Sequence, residues 1–271
     1  MKLAFSTLGC PGWTWAEAVD AAVRHGFDGI EWRLVDGHII GPDFPPELAL
    51  RIAAACAESG LAVPALDSSI DLAAPPGPAR ERVLAETRSM LRLAAAFSAT
   101  FLRVFPGAHP PDAGAAGWLR EALEELRADL RETGVRLALE LHDSRDAPGI
   151  RGMSCSQFVA EALTGFQGPE IGVQWDLGNP YLEGEQAAQT WENIRPWLLY
   201  LQAKDMAETA DGWKYVLMGE GGLPLREVLG WIGGKRFDGW VSLEWEKYWN
   251  PELAEPQVAL PQFVEYMKEY R

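Results

Sequence analysis

Short apolar runs of strand length alternate along this chain with longer stretches of helical period. Lys2-Leu3-Ala4-Phe5-Ser6-Thr7 reads as a first strand, closed by Gly9-Cys10-Pro11-Gly12. Thr14 then stands where a helix N-cap belongs, with Glu17 three residues on as its capping-box partner. The helix over Trp15–Arg24 stops at His25-Gly26. The same alternation predicts further strands at Phe27–Arg33, Leu61–Leu66, Thr100–Phe105, Arg136–Asp143, Ile171–Asp176, Leu198–Asp205 and Trp240–Glu246. It predicts helices over Pro45–Glu58, Ala79–Phe97, Trp118–Thr133, Cys155–Leu163, Glu185–Arg195, Pro224–Ile232 and Pro256–Tyr270. Gly219-Glu220-Gly221-Gly222 reads as a flexible loop. Strands alternating with helices imply a parallel sheet, and eight repeats imply one that closes on itself. The expectation is a single (β/α)8 TIM barrel, one domain over residues 1–271.

In such a barrel, chemistry sits where strands end. The strand ends here are polar: Glu31 and Arg33, Asp67, Arg103, Glu140 and His142, Asp176 with Asn179 beyond it, Gln202 and Lys204, Glu244 and Glu246. Arg136-Leu137-Ala138-Leu139-Glu140-Leu141-His142-Asp143 states the pattern most clearly. Side chains alternate along a strand, so Glu140 and His142 share one face. Carboxylates converging on a barrel mouth repel one another unless a cation or protons lie between them. Arg33, Arg103 and Lys204 would either hold a substrate hydroxyl, carboxylate or phosphate or neutralise the acids. Glu31, Asp67 and Asn179 join Arg33 and Arg103 as candidate substrate contacts. Glu246 lies on the same strand face as Glu244 but two residues further out, and is expected at the wet rim. His38 and His109 fall in loops that could reach the site.

Composition narrows the classes. A net charge of -15 repels nucleic acid. No apolar run has the length of a membrane span, and the N-terminus lacks a signal peptide's apolar region. Three widely spaced cysteines suit a reducing, cytoplasmic setting better than a disulfide framework.

The strand-end motifs resemble those of the xylose-isomerase-like sugar phosphate isomerase/epimerase superfamily. The resemblance rests on Ala138-Leu139-Glu140-Leu141-His142, Gln174-Trp175-Asp176-Leu177-Gly178-Asn179, Gln202-Ala203-Lys204-Asp205, the Gly219-Glu220-Gly221 loop and Ser242-Leu243-Glu244. It implies a divalent metal held by Glu140, Asp176, Gln202 and Glu244. Glu140 and Glu244 would double as the acid/base pair, and Lys204 or His142 would steady a developing oxyanion. The reaction implied is isomerisation or epimerisation of a small sugar or other polyhydroxy carbonyl compound through an enediolate. The chain departs from the family at Gln202, where His is usual, and at Asn179, where many relatives carry His. An all-oxygen donor set favours Mn²⁺ or Mg²⁺ over Zn²⁺. Some relatives that dehydrate 3-dehydroshikimate share the Gln, so a lyase is the first alternative and a non-catalytic sugar-binding barrel the second. The superfamily's abasic-site endonucleases resemble a His-rich multi-zinc site, which four histidines and this charge do not match. The expected partner is a small polyol or sugar, with no nucleic acid or membrane, and a homo-oligomer is left open.

Overall fold

The first strand, β1 (Lys2–Ser6), lies between β2 (Gly29–Glu31) and β12 (Trp240–Leu243), the second and last strands of the predicted series. From β12 the parallel sheet runs on through β9 (Leu198–Ala203), β8 (Ile171–Asp176), β7 (Arg136–Glu140) and β6 (Ala99–Phe105) to β5 (Val63–Asp71). The ring closes between β2 and β5: Ile30 N donates to Ala62 O, Trp32 N to Ala65 O and Asp67 N to Trp32 O. This eight-stranded parallel barrel is the expected fold. The structure is a computed structural model and describes residues 1–107, 113–142, 153–166, 168–233 and 237–271. Asp143 and His109 lie outside the described residues.

Helices α1 (Trp15–His25), α2 (Pro46–Glu58), α3 (Pro78–Ala96), α4 (Ala115–Thr133), α5 (Cys155–Leu163), α6 (Gly178–Leu182), α7 (Ala187–Ile194), α8 (Leu225–Ile232) and α9 (Pro256–Met267) connect and cover the strands. The capping box at α1 forms as expected: Thr14 N donates to Glu17 Oε2 at 2.7 Å, and Thr14 Oγ1 accepts from Glu17 N. Gly26 then stops the helix in the left-handed conformation, φ 76°. The main core lies between strands and helices, built from outward residues such as Leu137, Leu139, Val173 and Leu201. Inside the barrel a separate cluster of Ala4, Ala65, Phe101, Ala138, Tyr200 and Trp240 plugs the lower half. Three alanines leave room there for three large rings, so the space is packed rather than open.

Two hairpins were not expected. Leu34–Val35 (β3) pairs with His38–Ile39 (β4) across Asp36-Gly37, both at positive φ (51° and 78°). That is the Asp-Gly two-residue turn. Strand seven stops at Ala203, and Asp205–Thr209 (β10) pairs antiparallel with Gly212–Val216 (β11). Strands two and eight are shorter than expected and strand three is longer. The helix expected over Glu185–Arg195 is α7, and the short α6 before it was not expected. Cys10, Cys56 and Cys155 are free and buried, and among the described residues no helix is long and apolar enough to cross a membrane.

Candidate metal centre and its cavity

Each strand delivers its acid by parity. Leu137 and Leu139 face the helices, so Ala138 and Glu140 face the barrel axis. Gln174 and Asp176 do the same on β8, Tyr200 and Gln202 on β9, and Ser242 on β12 with Glu244 one step beyond. Above the aromatic plug these residues form a polar storey at the C-terminal mouth. Glu140, Asp176 and Glu244 there each offer a carboxylate oxygen, all within 4.8 Å of one another, and all three are buried. They floor a cavity of about 330 Å³ whose walls include Arg33, Arg103, Phe105, His142, Asn179 and Glu246.

The burial has electrostatic consequences. It pushes the Glu140 and Asp176 carboxyls above their usual range, against the pull of Arg103 and Lys204 respectively. Glu244 is pushed up to about 8 by burial, with Asp176 and Glu246 adding to the effect and Lys204 opposing it. The Lys204 ammonium sits among the acids, 2.7 Å from Asp176 Oδ2, 2.8 Å from Glu244 Oε2 and 3.1 Å from Glu246 Oε1. Burial works against its charge, but Asp176 and Glu244 outweigh it and hold the amine well above the usual lysine value. Arg103 Nε lies 2.9 Å from Glu140 Oε2 and 3.8 Å from Asp67 Oδ1.

Several expectations need correction. Glu246 is not at a wet rim: it is 7% exposed and shares Lys204 with Glu244. A strand that ends at Leu243 and turns back over the mouth carries it inward. Glu31 and Asp67, expected as substrate contacts, are fully buried and absent from the cavity wall. Glu31 accepts hydrogen bonds from Tyr200 Oη and, at 2.7 Å, from Gln202 Nε2. Burial and the neighbouring Asp67 charge hold its carboxyl well above the usual range, so this pair braces the floor from below. Of the two roles open to Lys204, it takes that of neutralising the acids and is not offered to the cavity.

Gln202 fills the position between Asp176 on β8 and Ser242 on β12 in the sheet register. With its amide nitrogen spent on Glu31, its Oε1 is buried and has no hydrogen-bond partner. Such an orphaned acceptor beside three crowded carboxylates fits a hard divalent cation. Glu140, Asp176 and Glu244, expected to hold a metal, therefore suit one, and Gln202, next to Asp176 in the sheet but outside the cavity lining, is the candidate fourth donor. Asn179 lines the cavity and also positions Asp176: its Nδ2 donates to Asp176 Oδ2 at 2.9 Å and to Leu141 O at 3.2 Å. His142 lines the cavity with its ring edge-on to Phe105.

The mouth also holds residues that the strand-end pattern does not mark, among them Ser69, Ile39 and Trp249. Ser69 accepts from Arg33, and Ile39 and Trp249 flank the opening. The Asp-Gly pair before Ile39 was the one available signal.

A family model described as xylose isomerase-like TIM barrel matches residues 19–270. Solved structures share the fold at low identity. The IolI protein with a binding zinc atom superposes with TM-score 0.78 at 17% identity, covering 100% of this chain and 99% of that one. D-psicose 3-epimerase from Clostridium cellulolyticum H10, with D-tagatose, gives TM-score 0.74 at 14% identity, covering 100% and 99%. The probable 3-DHS dehydratase AsbF from Bacillus anthracis gives 0.73 at 16%, covering 99% of each chain. A search of curated protein sequences found no match.

Proposed function

Because the chain belongs to the xylose isomerase-like TIM-barrel family, we propose that it is a divalent-metal-dependent isomerase or epimerase of a small polyhydroxy carbonyl compound. The observation that carries this is the cluster of Glu140, Asp176 and Glu244 on the floor of an open cavity. A divalent ion bound there would supply the positive charge that makes an enediolate accessible. Oxygen donors alone favour Mn²⁺ or Mg²⁺ over Zn²⁺.

The proton transfers belong to the protein. Glu140 stands on one side of the cluster and Glu244 on the other, separated round the ring by β8 and β9. Glu140 takes the proton from the carbon next to the carbonyl. Glu244, on the far side, is the group placed to return a proton to the opposite face. Arg103 keeps Glu140 aimed, and Asn179 does the same for Asp176. His142 is placed on the wall to hold a substrate oxygen.

A dehydratase is the second reading, favoured by Gln202 on strand seven and by the cationic wall that Arg33 contributes. The same base would remove the proton, and a neighbouring hydroxyl would leave as water. The test begins with stripped protein reloaded with Mn²⁺, Mg²⁺ or Zn²⁺ and offered ketoses and 3-dehydroshikimate. Exchange of the C–H next to the carbonyl is followed by NMR in D₂O. Glu140→Gln is expected to cost more than the roughly 10²–10⁴-fold of a lost general base alone, because metal affinity falls too. Glu208→Gln, on the exposed hairpin, is the control. Near-normal exchange in Glu140→Gln would remove it from the mechanism, and no metal binding at all would leave a sugar-binding barrel.

A further inference from the structure

Round the barrel the acids and the arginines take different sectors. Glu140, Asp176 and Glu244 come from β7, β8 and β12, and Arg103 and Arg33 from β6 and the end of β2, with β5 between. In an eight-membered ring β2 is diametrically opposed to β8, so Arg33 faces Asp176 across the cavity. Its backbone is fixed there by Arg33 N donating to Thr7 Oγ1 at 2.9 Å.

The two arginines are not equivalent. Arg103 has a carboxylate at ion-pair distance, Glu140. Arg33 is 6% exposed and donates only to neutral acceptors: Asp67 O at 3.2 Å and Ser69 Oγ at 2.6 Å. Among the described residues no carboxylate lies within 4.0 Å of its guanidinium. Burial and the neighbouring Arg103 charge lower its pKa to about 10, against the more distant pull of Asp67, Glu140 and Glu244, which still leaves it cationic at neutral pH. A buried charge with no carboxylate in contact is costly to keep. Two of its five N–H donors are used, and the planar fork suits a carboxylate.

We propose that Arg33 is the seat of a substrate carboxylate, so that the molecule turned over here is a small hydroxy- or oxo-acid rather than a neutral sugar. This rests on the metal-enzyme reading above and narrows its substrate class. The acid group sits on Arg33 and the carbon chain reaches across the cavity to the Glu140–Glu244 side, where the reacting C–H lies. Ile39 and Trp249 offer apolar surface to its C–H face at the opening. A carboxylate suits the site better than a phosphate dianion. One unpaired guanidinium balances one negative charge, and the remaining wall already holds Glu140, Glu244 and Glu246.

The test compares D-gluconate with D-gluconamide, nearly isosteric probes that differ in charge, and with inorganic phosphate. Each is titrated calorimetrically into the full-length protein with and without Mn²⁺. Gluconate is expected to bind about tenfold tighter than gluconamide or more, the scale of one charge-assisted fork. Arg33→Met should abolish that preference while leaving gluconamide and Mn²⁺ binding within about twofold. Arg33→Lys should keep part of it. A residue that merely staples β2 to β5 would give equal binding of acid and amide in the wild type, whether or not the variants fold. That result, an unchanged preference in Arg33→Met, tighter binding of phosphate than of gluconate, or no binding of any probe overturns the assignment. A missing Mn²⁺ site strikes the isomerase reading instead, because the acid preference is also read without metal.

Discussion

At the scale of single residues, Asp176 sets the terms on which the site accepts an ion. Its Oδ1 accepts from Gly178 N at 2.8 Å and Asn179 N at 3.1 Å, and its Oδ2 from Asn179 Nδ2 at 2.9 Å, with Lys204 Nζ 2.7 Å away. A carboxylate has about four acceptor sites, so a divalent ion must share or displace Lys204. Lys204→Met should therefore bind Mn²⁺ at least about tenfold tighter, because a neighbouring positive charge is gone. The metal-free variant should be less stable by about 3–5 kcal/mol, the usual result of removing one partner from a buried ion pair. Calorimetry and thermal melts with and without Mn²⁺ read both, and unchanged Mn²⁺ affinity would mean that Lys204 and the ion do not compete. Gln202→His tests the orphaned acceptor. Imidazole should move the ranking of bound metals toward Zn²⁺ and Co²⁺, and an unmoved ranking would leave Gln202 out of the donor set. Parity along Leu137–Glu140 and the identity of the strand-end acids were legible in the sequence. That Lys204 would neutralise the acids was one of two roles open in the sequence, and the choice was not legible because a four-carbon stem reaches in directions that strand periodicity does not specify.

At the scale of elements, the loop at Gly219–Gly222 is tied down rather than flexible. Asp205 Oδ2 accepts from Gly219 N at 2.8 Å and Gly221 N at 2.9 Å. Its Oδ1 accepts from Met206 N and Leu223 N. One carboxylate thus joins the end of strand seven, the start of the β10–β11 hairpin and the glycine loop. Asp205→Ala leaves these N–H groups without their partner and should cost about 2–4 kcal/mol. Urea denaturation reads that loss, and limited proteolysis should find new cuts between residues 217 and 223. A stability change below about 0.5 kcal/mol would mean that the loop is held by packing instead. Strand positions were legible because each buried strand is a short apolar run between turn signals. The hairpins were missed for different reasons. Leu34–Ile39 is too short to show alternation, although its Asp-Gly turn was in view. Asp205–Val216 continues a strand without a break, and only the antiparallel pairing reveals where the chain leaves the barrel. The inward turn of Glu246 was missed in the same way: parity sets a face, but not where a strand ends.

At the scale of the whole molecule, the barrel trades stability against readiness to bind a cation, and pH moves the balance. Folding carries the Glu244 carboxyl from an ordinary 4.5 to about 8, mainly through burial. Between those values the folded protein holds a proton that the unfolded chain has released. The stabilising contribution of this group is therefore complete below about pH 4.5 and is lost as pH rises through about 8. A divalent ion needs the ionised carboxylate, so its affinity has the opposite slope, rising by up to about tenfold per pH unit for one proton released and levelling above about 8. The metal-free protein should melt at progressively lower temperature from pH 6 to pH 8.5. The increase in Tm given by saturating Mg²⁺ should widen over the same range. Calorimetric titration at pH 7 in two buffers of different ionisation enthalpy counts the proton directly, and about one should leave per Mg²⁺ bound. Glu244→Gln cannot release that proton, so its count should fall toward zero and the pH slope of Mg²⁺ affinity should flatten. Equal proton release from both proteins would place the titrating group elsewhere among the buried acids.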